Sequence, residues 1–290
     1  MQLLIDRNRA RLVIRRLHED FAQRRGLLSE LDDLVENQIP DGVSLLSLEH
    51  ACFLFYMVPN DHGVKSRHLY SRAKQFFVSR PEMFSPVEML RSFSGPDDRT
   101  LSSLLAATLG VRYPNEAARS WYLNSARIVT EYGGDPRQLF QSTQNAPELL
   151  RRILSFRSYG PKTGGMLLRA IGGLGFASLT DLEDVLLPVD VHDSRISFMT
   201  RIVRLPAGHP DPDKGYYPYV PQVQKALLDA CNSLGMSWPD IDRALWIIGS
   251  RGCVSLRCTE CPLLDMCEVG VGERRRNALA SKGALAAQAA

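Results

Sequence analysis

Four cysteines near the C-terminal end of the sequence have the residue type and spacing of a metal-binding set. They fall within fifteen residues as C-x4-C-x2-C-x5-C, at Cys253, Cys258, Cys261 and Cys267. Thiolates are soft ligands, and four of them with no histidine among them suit a tetrahedral site for a thiophilic metal. An iron–sulfur cluster and a zinc ion both satisfy this pattern.

Two alternatives need no metal: the four cysteines could form two disulfides, or they could be unrelated thiols. Only Cys52 and Cys231 lie outside the set, and the N-terminal residues lack the pattern of a secretory signal. Because disulfides belong to oxidising compartments, we do not expect them here. A bound metal is the favoured interpretation.

A second group of residues that could do chemistry lies in Leu149–Ile171, which reads LLRRILSFRSYGPKTGGMLLRAI. The pattern predicts an amphipathic helix, a tight turn at 158–160 and a second helix that begins at Pro161, where proline is favoured. We expect Gly160 to take a positive φ at the reversal. The segment is therefore predicted to be a helical hairpin.

Lys162 occupies the first turn of the second predicted helix, beside amide groups that can seat a phosphate oxygen. Together with Arg157 it can add charge-assisted contacts to a nucleic-acid backbone. The helix dipole disfavours an ammonium ion at this position, and partial burial would lower the pKa of the amine further. The neutral amine could then attack a sugar C1′ and form a Schiff base. The alternative is a surface lysine beside an anion site.

Asp190 lies in the stretch Leu187–Ile196, which reads LPVDVHDSRI. It follows an apolar strip and precedes a helical pattern, so it is suited to cap a helix. A carboxylate here could also stabilise an oxocarbenium-like sugar, as carboxylates do in glycoside cleavage. The two roles are compatible. His192 and Asp193 are expected to be surface or capping residues and rank below Asp190.

The rest of the chain is predicted to be all-α. Of its 290 residues 44% are hydrophobic, but none of the apolar runs reaches the length of a membrane span. Strand-like alternation is weak throughout. The net charge is only +3, so the protein could bind a polyanion only through a local basic face. Apolar residues recur at helical spacing in Ala10–Leu17, Leu48–Met57, Leu101–Leu109, Trp121–Tyr132, Glu148–Phe156, Thr163–Ile171, Val223–Leu234 and Ile241–Ile248.

The order G-P-K-T, V-D-x-H and a four-cysteine loop resembles the helix-hairpin-helix DNA glycosylase superfamily, in particular its endonuclease III-like branch. His50–Asp61 is similar to that family's first barrel helix, and Ala117–Tyr132 to the helix before the hairpin, so the resemblance covers about Leu45 to Cys267. It implies two helical domains, a six-helix barrel with the helix-hairpin-helix and a domain bearing a [4Fe–4S] cluster. DNA would bind in a cleft between them with the target base flipped out.

The resemblance also implies roles for individual residues. Lys162 matches the nucleophilic lysine of lyase-type members, Asp190 matches the catalytic aspartate, and the four cysteines match the cluster ligands. The mechanism implied is base flipping, attack of the lysine on C1′, loss of the base and strand cleavage through the imine. The residues expected to bind DNA around the hairpin are Arg157, Ser158, Tyr159, Gly160 and Thr163.

Several features depart from the family pattern. Ser158 replaces the usual first glycine of the turn, Gly172–Leu187 lengthens the lysine-to-aspartate gap, and the first cysteine gap is x4 instead of x6. Near the first barrel helix, Pro59 is expected to end the helix. The polar residues that follow it either line the substrate pocket or form an ordinary helix-terminating turn; they are Asn60, Asp61 and His62.

The stretch Leu205–Pro221 contains five prolines and three tyrosines. It could insert into a duplex or stack on an orphaned base. It could also be a covering loop whose tyrosines pack on the protein, and we favour packing.

The predicted domains are 46–180 for the barrel, 1–45 with 181–270 for the cluster-bearing domain, and 271–290 for a flexible tail.

The predicted function is a DNA glycosylase of base-excision repair with β-lyase activity. The alternatives are a monofunctional glycosylase that uses Asp190 alone, a non-catalytic DNA-binding protein with a structural cluster, and a zinc-binding structural module. The expected partner is double-stranded DNA with a damaged or modified base. We expect a monomer with no membrane contact, in the cytoplasm with the nucleoid or in a nucleus.

Overall fold

The computed structural model describes residues 3–61, 63–206, 208 and 216–272. These residues form an all-α fold, which confirms the predicted fold class. Their one sheet pairs β1 (Leu4–Ile5) with β2 (Val203–Arg204) in antiparallel register. The helices are α1 (Arg7–Ala22), α2 (Leu48–Met57), α3 (Ser66–Ser79), α4 (Pro86–Ser92), α5 (Arg99–Leu109), α6 (Pro114–Tyr132), α7 (Pro136–Phe140), α8 (Ala146–Leu154), α9 (Pro161–Leu174), α10 (Val191–Met199), α11 (Val220–Ser233) and α12 (Pro239–Ile247).

Helix boundaries follow the capping residues of the sequence. The side chains of Ser47, Asp98 and Asn145 accept hydrogen bonds from first-turn amides of α2, α5 and α8, which satisfies donors that have no partner inside the helix. Helix α2 ends at Met57 and a single 3-10 turn containing Pro59 follows it. The predicted end of this helix at the proline is therefore confirmed.

Contacts along the chain divide it into two compact units. The central unit comprises residues 32–188, and the terminal unit comprises residues 1–31 together with 189–290. The sequence-based boundaries at 46 and 180 lie inside the central unit. The predicted tail lies outside the described residues except for 271 and 272.

The core of the central unit is rich in aromatic side chains. Tyr56 packs on Trp121 with ring centroids 4.7 Å apart, and Phe84 packs on Trp121 at 5.2 Å and on Phe77 at 5.0 Å. All four residues are buried. Such offset and edge-on contacts add to the stabilisation from apolar burial. This core fixes α6, which carries Glu116, and α2, which leads directly into the turn with Asn60.

A buried ion pair fastens α9 to the turn at 35–37 within the central unit. Arg169 donates to both carboxylate oxygens of Glu36, at 2.9 and 3.1 Å. The two side chains are only 4% and 8% exposed. A pair this deeply buried is costly to break, because the remaining charge loses its partner without gaining water. It therefore helps to hold the helix that carries Lys162.

In the terminal unit, α1 packs against α11 and α12, and α10 packs against α12. Leu17, Trp238 and Leu245 are among the fully buried side chains of this unit. Across the part of the chain that the structure describes, none of the helices has the length and apolar character needed to cross a membrane.

Candidate functional site

The predicted hairpin is present in the central unit. Helix α8 ends at Leu154, the turn follows, and α9 begins at Pro161 with Gly160 as its N-cap. The amide of Gly160 donates to the hydroxyl of Thr163 at 3.0 Å, and its carbonyl accepts from the amide of Gly164 at 2.8 Å. Lys162 lies in the first turn of α9, as its position after the proline predicts. Its side chain is half-buried.

The positive φ of the turn is at Ser158 and not at Gly160, which corrects the sequence-based expectation. Ser158 has φ of 64°, whereas Gly160 is extended with φ of −100°. A Cβ added at Gly160 would meet nothing within 4 Å. The glycine therefore leaves bare backbone beside open space, which suits the close approach of a ligand backbone.

Helix α6 grips the turn through three polar side chains at i, i+4 and i+8. The side-chain amide of Asn124 accepts from the backbone N–H of Arg157 at 2.9 Å and donates to its carbonyl at 3.0 Å. The hydroxyl of Ser120 donates to the same carbonyl at 3.2 Å. The carboxylate of Glu116 accepts two hydrogen bonds from the Arg157 guanidinium, at 2.6 and 2.9 Å. We call Glu116, Ser120 and Asn124 the α6 ladder.

The side chain of Tyr159 faces the core of the central unit. It is 6% exposed, and its hydroxyl donates to the carbonyl of Phe55 at 2.6 Å. Burial raises the pKa of this phenol well above its usual value. Because its side chain is buried, Tyr159 can contact DNA only through its backbone.

The hairpin, the turn after α2 and the start of α6 border one cavity of about 470 Å³ in the central unit. Four residues singled out from the hairpin sequence line it, and one from the predicted pocket does so as well. These are Ser158, Gly160, Lys162 and Thr163, together with Asn60. The cavity thus brings a lysine, a helix N-terminus and a polar amide to one concave surface. This combination can hold an anionic, base-bearing ligand.

The three residues predicted to line the substrate pocket differ in position. The amide nitrogen of Asn60 donates to the carbonyl of Tyr56 at 2.7 Å, and the residue lines the cavity. Asp61 is buried and accepts from the hydroxyl of Ser66 at 2.7 Å, so its carboxylate helps to form the start of α3. His62 lies outside the described residues.

The structure adds lining residues that the sequence reasoning missed. Arg112 and Tyr113 lie at the rim of the cavity, with the Arg112 guanidinium 5.3 Å from the ring centroid of Tyr113. Tyr113 is 54% exposed. A solvent-exposed arginine–aromatic pair directly before a helix-starting proline was visible in the sequence as R-Y-P. Glu116 also lines the cavity.

In the terminal unit, Asp190 is the N-cap of α10. Its carboxylate accepts from the amides of His192 at 2.7 Å and Asp193 at 3.4 Å, while its own amide donates to the Asp193 carboxylate at 2.7 Å. The predicted capping role is therefore confirmed. Burial, followed by the nearby charges of Asp190 and Asp242, raises the pKa of Asp193 well above its usual range.

The segment of Asp190 is packed against the turn that leads to the first cysteine of the set. A Cβ on Gly249 would lie 2.4 Å from the Cβ of His192, so any larger residue at 249 would push α10 away. Residues Ile248–Cys253 form a π-helical turn there. The V-D-x-H stretch and the cysteine set thus belong to one structural block of the terminal unit.

The four cysteines line a single cavity of about 200 Å³. A buried water occupies about 10–15 Å³ on this measure, so the cavity is much larger than one water requires. Most of its remaining wall is apolar, including Ile196, Met199 and Leu263. Within the described residues, no three His, Cys, Asp or Glu side chains are arranged to hold a single metal ion.

The thiols lie close enough to influence one another's ionisation. Burial first, and then the neighbouring Cys267 and Cys258, raise the pKa of Cys253 to about 11, while Arg195 opposes the shift. Burial raises the pKa of Cys261 to about 12. A metal centre would reverse this effect, because it binds the thiolate form and releases the protons. Four thiols around one apolar cavity fit the donor set of an iron–sulfur cluster.

The cysteine segment is fastened to the residues after α1. The Arg257 guanidinium donates to Glu30 at 2.6 Å and to Glu260 at 2.9 Å. A Cβ on Gly26 would lie 2.5 Å from the Glu260 carbonyl oxygen, so the two segments touch through bare backbone. These contacts shape the loop within the terminal unit.

The described part of the Pro- and Tyr-rich stretch agrees with the packing interpretation. Tyr216 and Tyr219 pack on Phe198, with ring centroids 5.5 and 5.7 Å apart. Tyr217 is 68% exposed. Residues 207 and 209–215 lie outside the described range.

Comparison with solved structures identifies the fold. A thermostable thymine-DNA glycosylase aligns with a TM-score of 0.50 and 14% sequence identity, covering 91% of this chain and 98% of that chain. The chain therefore shares the all-helical fold of that glycosylase. No family model and no curated protein matches the sequence.

Proposed function

We propose that this chain is a DNA N-glycosylase of base-excision repair that also cleaves the strand through a lysine Schiff base. The substrate is double-stranded DNA that carries a damaged or modified base. We place the chain in the helix-hairpin-helix superfamily, in its branch with a [4Fe–4S] cluster. The observation that carries the proposal is the half-buried Lys162 in the first turn of α9, on the wall of the 470 Å³ cavity.

The cavity supplies what such a reaction needs from the central unit. The first turn of α9 directs N–H groups that lack intrahelical acceptors toward a phosphate of the DNA backbone. The bare backbone of Gly160 lets that phosphate approach closely. Asn60, whose amide nitrogen is already occupied by the Tyr56 carbonyl, offers its carbonyl oxygen to the edge of a flipped base.

Lys162 acts as the nucleophile. Its uncharged Nζ forms a bond to C1′ while the bond from C1′ to the base breaks, and the base leaves with the bonding electrons and takes up a proton. Loss of a proton from nitrogen and opening of the sugar ring at O4′ give an imine between Nζ and C1′. Removal of a C2′ proton then expels the 3′ phosphate, and water hydrolyses the imine to release the lysine.

Asp190 is proposed to stabilise the positive charge that develops at C1′ as the base leaves. Its carboxylate is fixed by the first-turn amides of α10, at 2.7 and 3.4 Å.

The [4Fe–4S] cluster is proposed to be held by Cys253, Cys258, Cys261 and Cys267. Its role is structural: bound to four thiolates, it fixes the loop that packs on the α10 segment. The reaction assigned to Lys162 involves no electron transfer, so it needs no redox chemistry from the cluster.

Borohydride trapping tests the function directly. Purified protein is incubated with duplexes that each carry one candidate lesion, including a thymine mismatch, with an abasic duplex as positive control. Borohydride reduces an imine to a stable amine, so a covalent protein–DNA adduct reports the Schiff base. Lys162→Ala should lose the adduct, and the matched control Lys74→Ala, at a half-buried lysine of α3 that does not line the cavity, should keep it.

The alternatives make different predictions in the same assay. Base release without an adduct, unaffected by Lys162→Ala and lost in Asp190→Asn, identifies a monofunctional glycosylase. DNA binding with neither base release nor adduct, even on the abasic duplex, identifies a non-catalytic DNA-binding protein. Iron and sulfide analysis of the purified chain separates a brown cluster protein from a colourless zinc module.

A further inference from the structure

The contact between Glu116 and Arg157 has an unexpected position for a DNA-binding hairpin. Arg157 is the cation next to the turn, yet its Nε and Nη2 both donate to a carboxylate of the protein, at 2.6 and 2.9 Å. Both side chains are accessible, at 42% and 43% exposure. Glu116 lines the same cavity as Lys162. An anionic side chain therefore lies where a DNA phosphate is expected to approach.

We propose that Glu116 regulates DNA binding by competing with a backbone phosphate for the guanidinium of Arg157. In the free protein the carboxylate occupies the Nε–Nη2 edge of the guanidinium with a bidentate geometry that a phosphate can also adopt. When DNA docks on the hairpin, a phosphate replaces the carboxylate. Because the carboxylate must be displaced, the exchange lowers the affinity of the hairpin for DNA.

The surrounding contacts allow this exchange without disturbing the turn. The backbone of Arg157 is held independently by Asn124 and Ser120, which bind its N–H and carbonyl groups. Only the side chain of Arg157 depends on Glu116. Removing the carboxylate therefore frees the guanidinium while the turn stays in place.

The charge of the pair supports the same conclusion. The hydrogen bonds from Arg157, assisted by Ser158, lower the pKa of Glu116, so the carboxylate is ionised at neutral pH and cancels one positive charge at the turn. A neutralised cation contributes little to the release of counterions from DNA, whereas a free one contributes a full contact.

The proposal rests on the proposed function, because it assumes that the hairpin binds DNA. Affinity is measured for wild type, Glu116→Gln, Arg157→Gln and the double variant over a range of salt concentrations, on a duplex with a tetrahydrofuran abasic analogue, which cannot form the imine. Glu131→Gln is the matched control, since Glu131 also forms a bidentate pair on α6, with Arg127 at 2.8 and 2.9 Å, but does not line the cavity.

Glu116→Gln should bind more tightly and should show a steeper salt dependence. One additional phosphate contact changes the slope of log K against log salt by about −0.9, so the advantage should shrink about 3- to 4-fold between about 50 and 200 mM salt. The double variant and Glu131→Gln should show no such increase in DNA affinity. Thermal melting confirms that each variant is folded.

Two results would overturn the proposal while leaving the function intact. In the first, Glu116→Gln binds DNA as tightly as wild type or more weakly, while Lys162 still forms the trapped adduct. This result would mean that the carboxylate orients Arg157 and does not compete with a phosphate. In the second, Arg157→Gln binds DNA as tightly as wild type. This result would mean that the Arg157 guanidinium does not contact a phosphate. If wild type binds no duplex at any salt concentration, both the function and this proposal fail.

Discussion

Replacing Asn124 by alanine should loosen the hairpin turn by an amount that can be worked from its contacts. The side chain is 3% exposed and makes two hydrogen bonds to the backbone of Arg157, at 2.9 and 3.0 Å. At about 1 kcal/mol each, the loss comes to about 2 kcal/mol. The carbonyl keeps a partner in Ser120, at 3.2 Å, so the N–H is the group left without its acceptor.

Hydrogen exchange at the turn measures this effect. A loss of about 2 kcal/mol corresponds to about thirtyfold faster exchange of the Arg157 amide, provided that it exchanges by local opening. The adduct formed by Lys162 should decrease as well, because the lysine follows Arg157 by only five residues. Ser120→Ala is the matched control, since it removes the 3.2 Å bond to the same carbonyl and a 3.3 Å bond from Asn124 but leaves the Arg157 N–H paired. Unchanged exchange in Asn124→Ala would refute the assigned role of the α6 ladder in holding the turn.

Three further predictions concern stability and the cysteine set. Glu36→Gln should destabilise the central unit by about 3–5 kcal/mol in urea unfolding, because the buried Arg169 charge loses the Glu36 carboxylate. A cost below about 1 kcal/mol would contradict this reasoning. Adding Arg169→Met should recover part of the lost stability. Burial lowers the pKa of His50 to about 4, so the unfolded chain binds the proton first as pH falls below about 6.5. Stability should therefore decrease by about 2 kcal/mol from pH 7.5 to 5, and His50→Gln should remove that part of the pH dependence. Cys258→Ser should lower iron and sulfide content, solubility and DNA affinity together; a soluble, tightly binding but inactive variant would show that the cluster takes part in the chemistry.

Local patterns in the sequence were sufficient for most of the helices and for the hairpin. The apolar spacing in Leu48–Met57 predicts a helix with the bounds that α2 has, and Pro161 predicts the start of α9. Helix α3 was not predicted, although its buried residues Leu69, Ala73 and Phe76 keep helical spacing. These features depend on neighbours within about two turns of helix, which a sequence displays directly.

The contacts that hold the hairpin could not be predicted in the same way. Asn124 and Glu116 meet Arg157 across 33 and 41 positions of the chain, and their partners depend on how α6 packs in the central unit. Their spacing at i, i+4 and i+8 with Ser120 was visible as a polar stripe. A polar stripe is also typical of a solvated face, so only the fold distinguishes a ladder from a surface.

Ser158 connects a departure in the sequence to this long-range contact. A left-handed backbone costs a residue with a Cβ about 1–2 kcal/mol relative to the right-handed form, and Ser158 has φ of 64° in the turn where the resembling family has glycine. Ser158 also acts on the carboxylate of Glu116, because its hydroxyl helps Arg157 to lower the pKa of that group. Glycine at this position would relieve the backbone strain but would remove this effect on Glu116. The strained residue of the turn and the carboxylate that competes for Arg157 are therefore linked, and both bear on how the turn receives a phosphate.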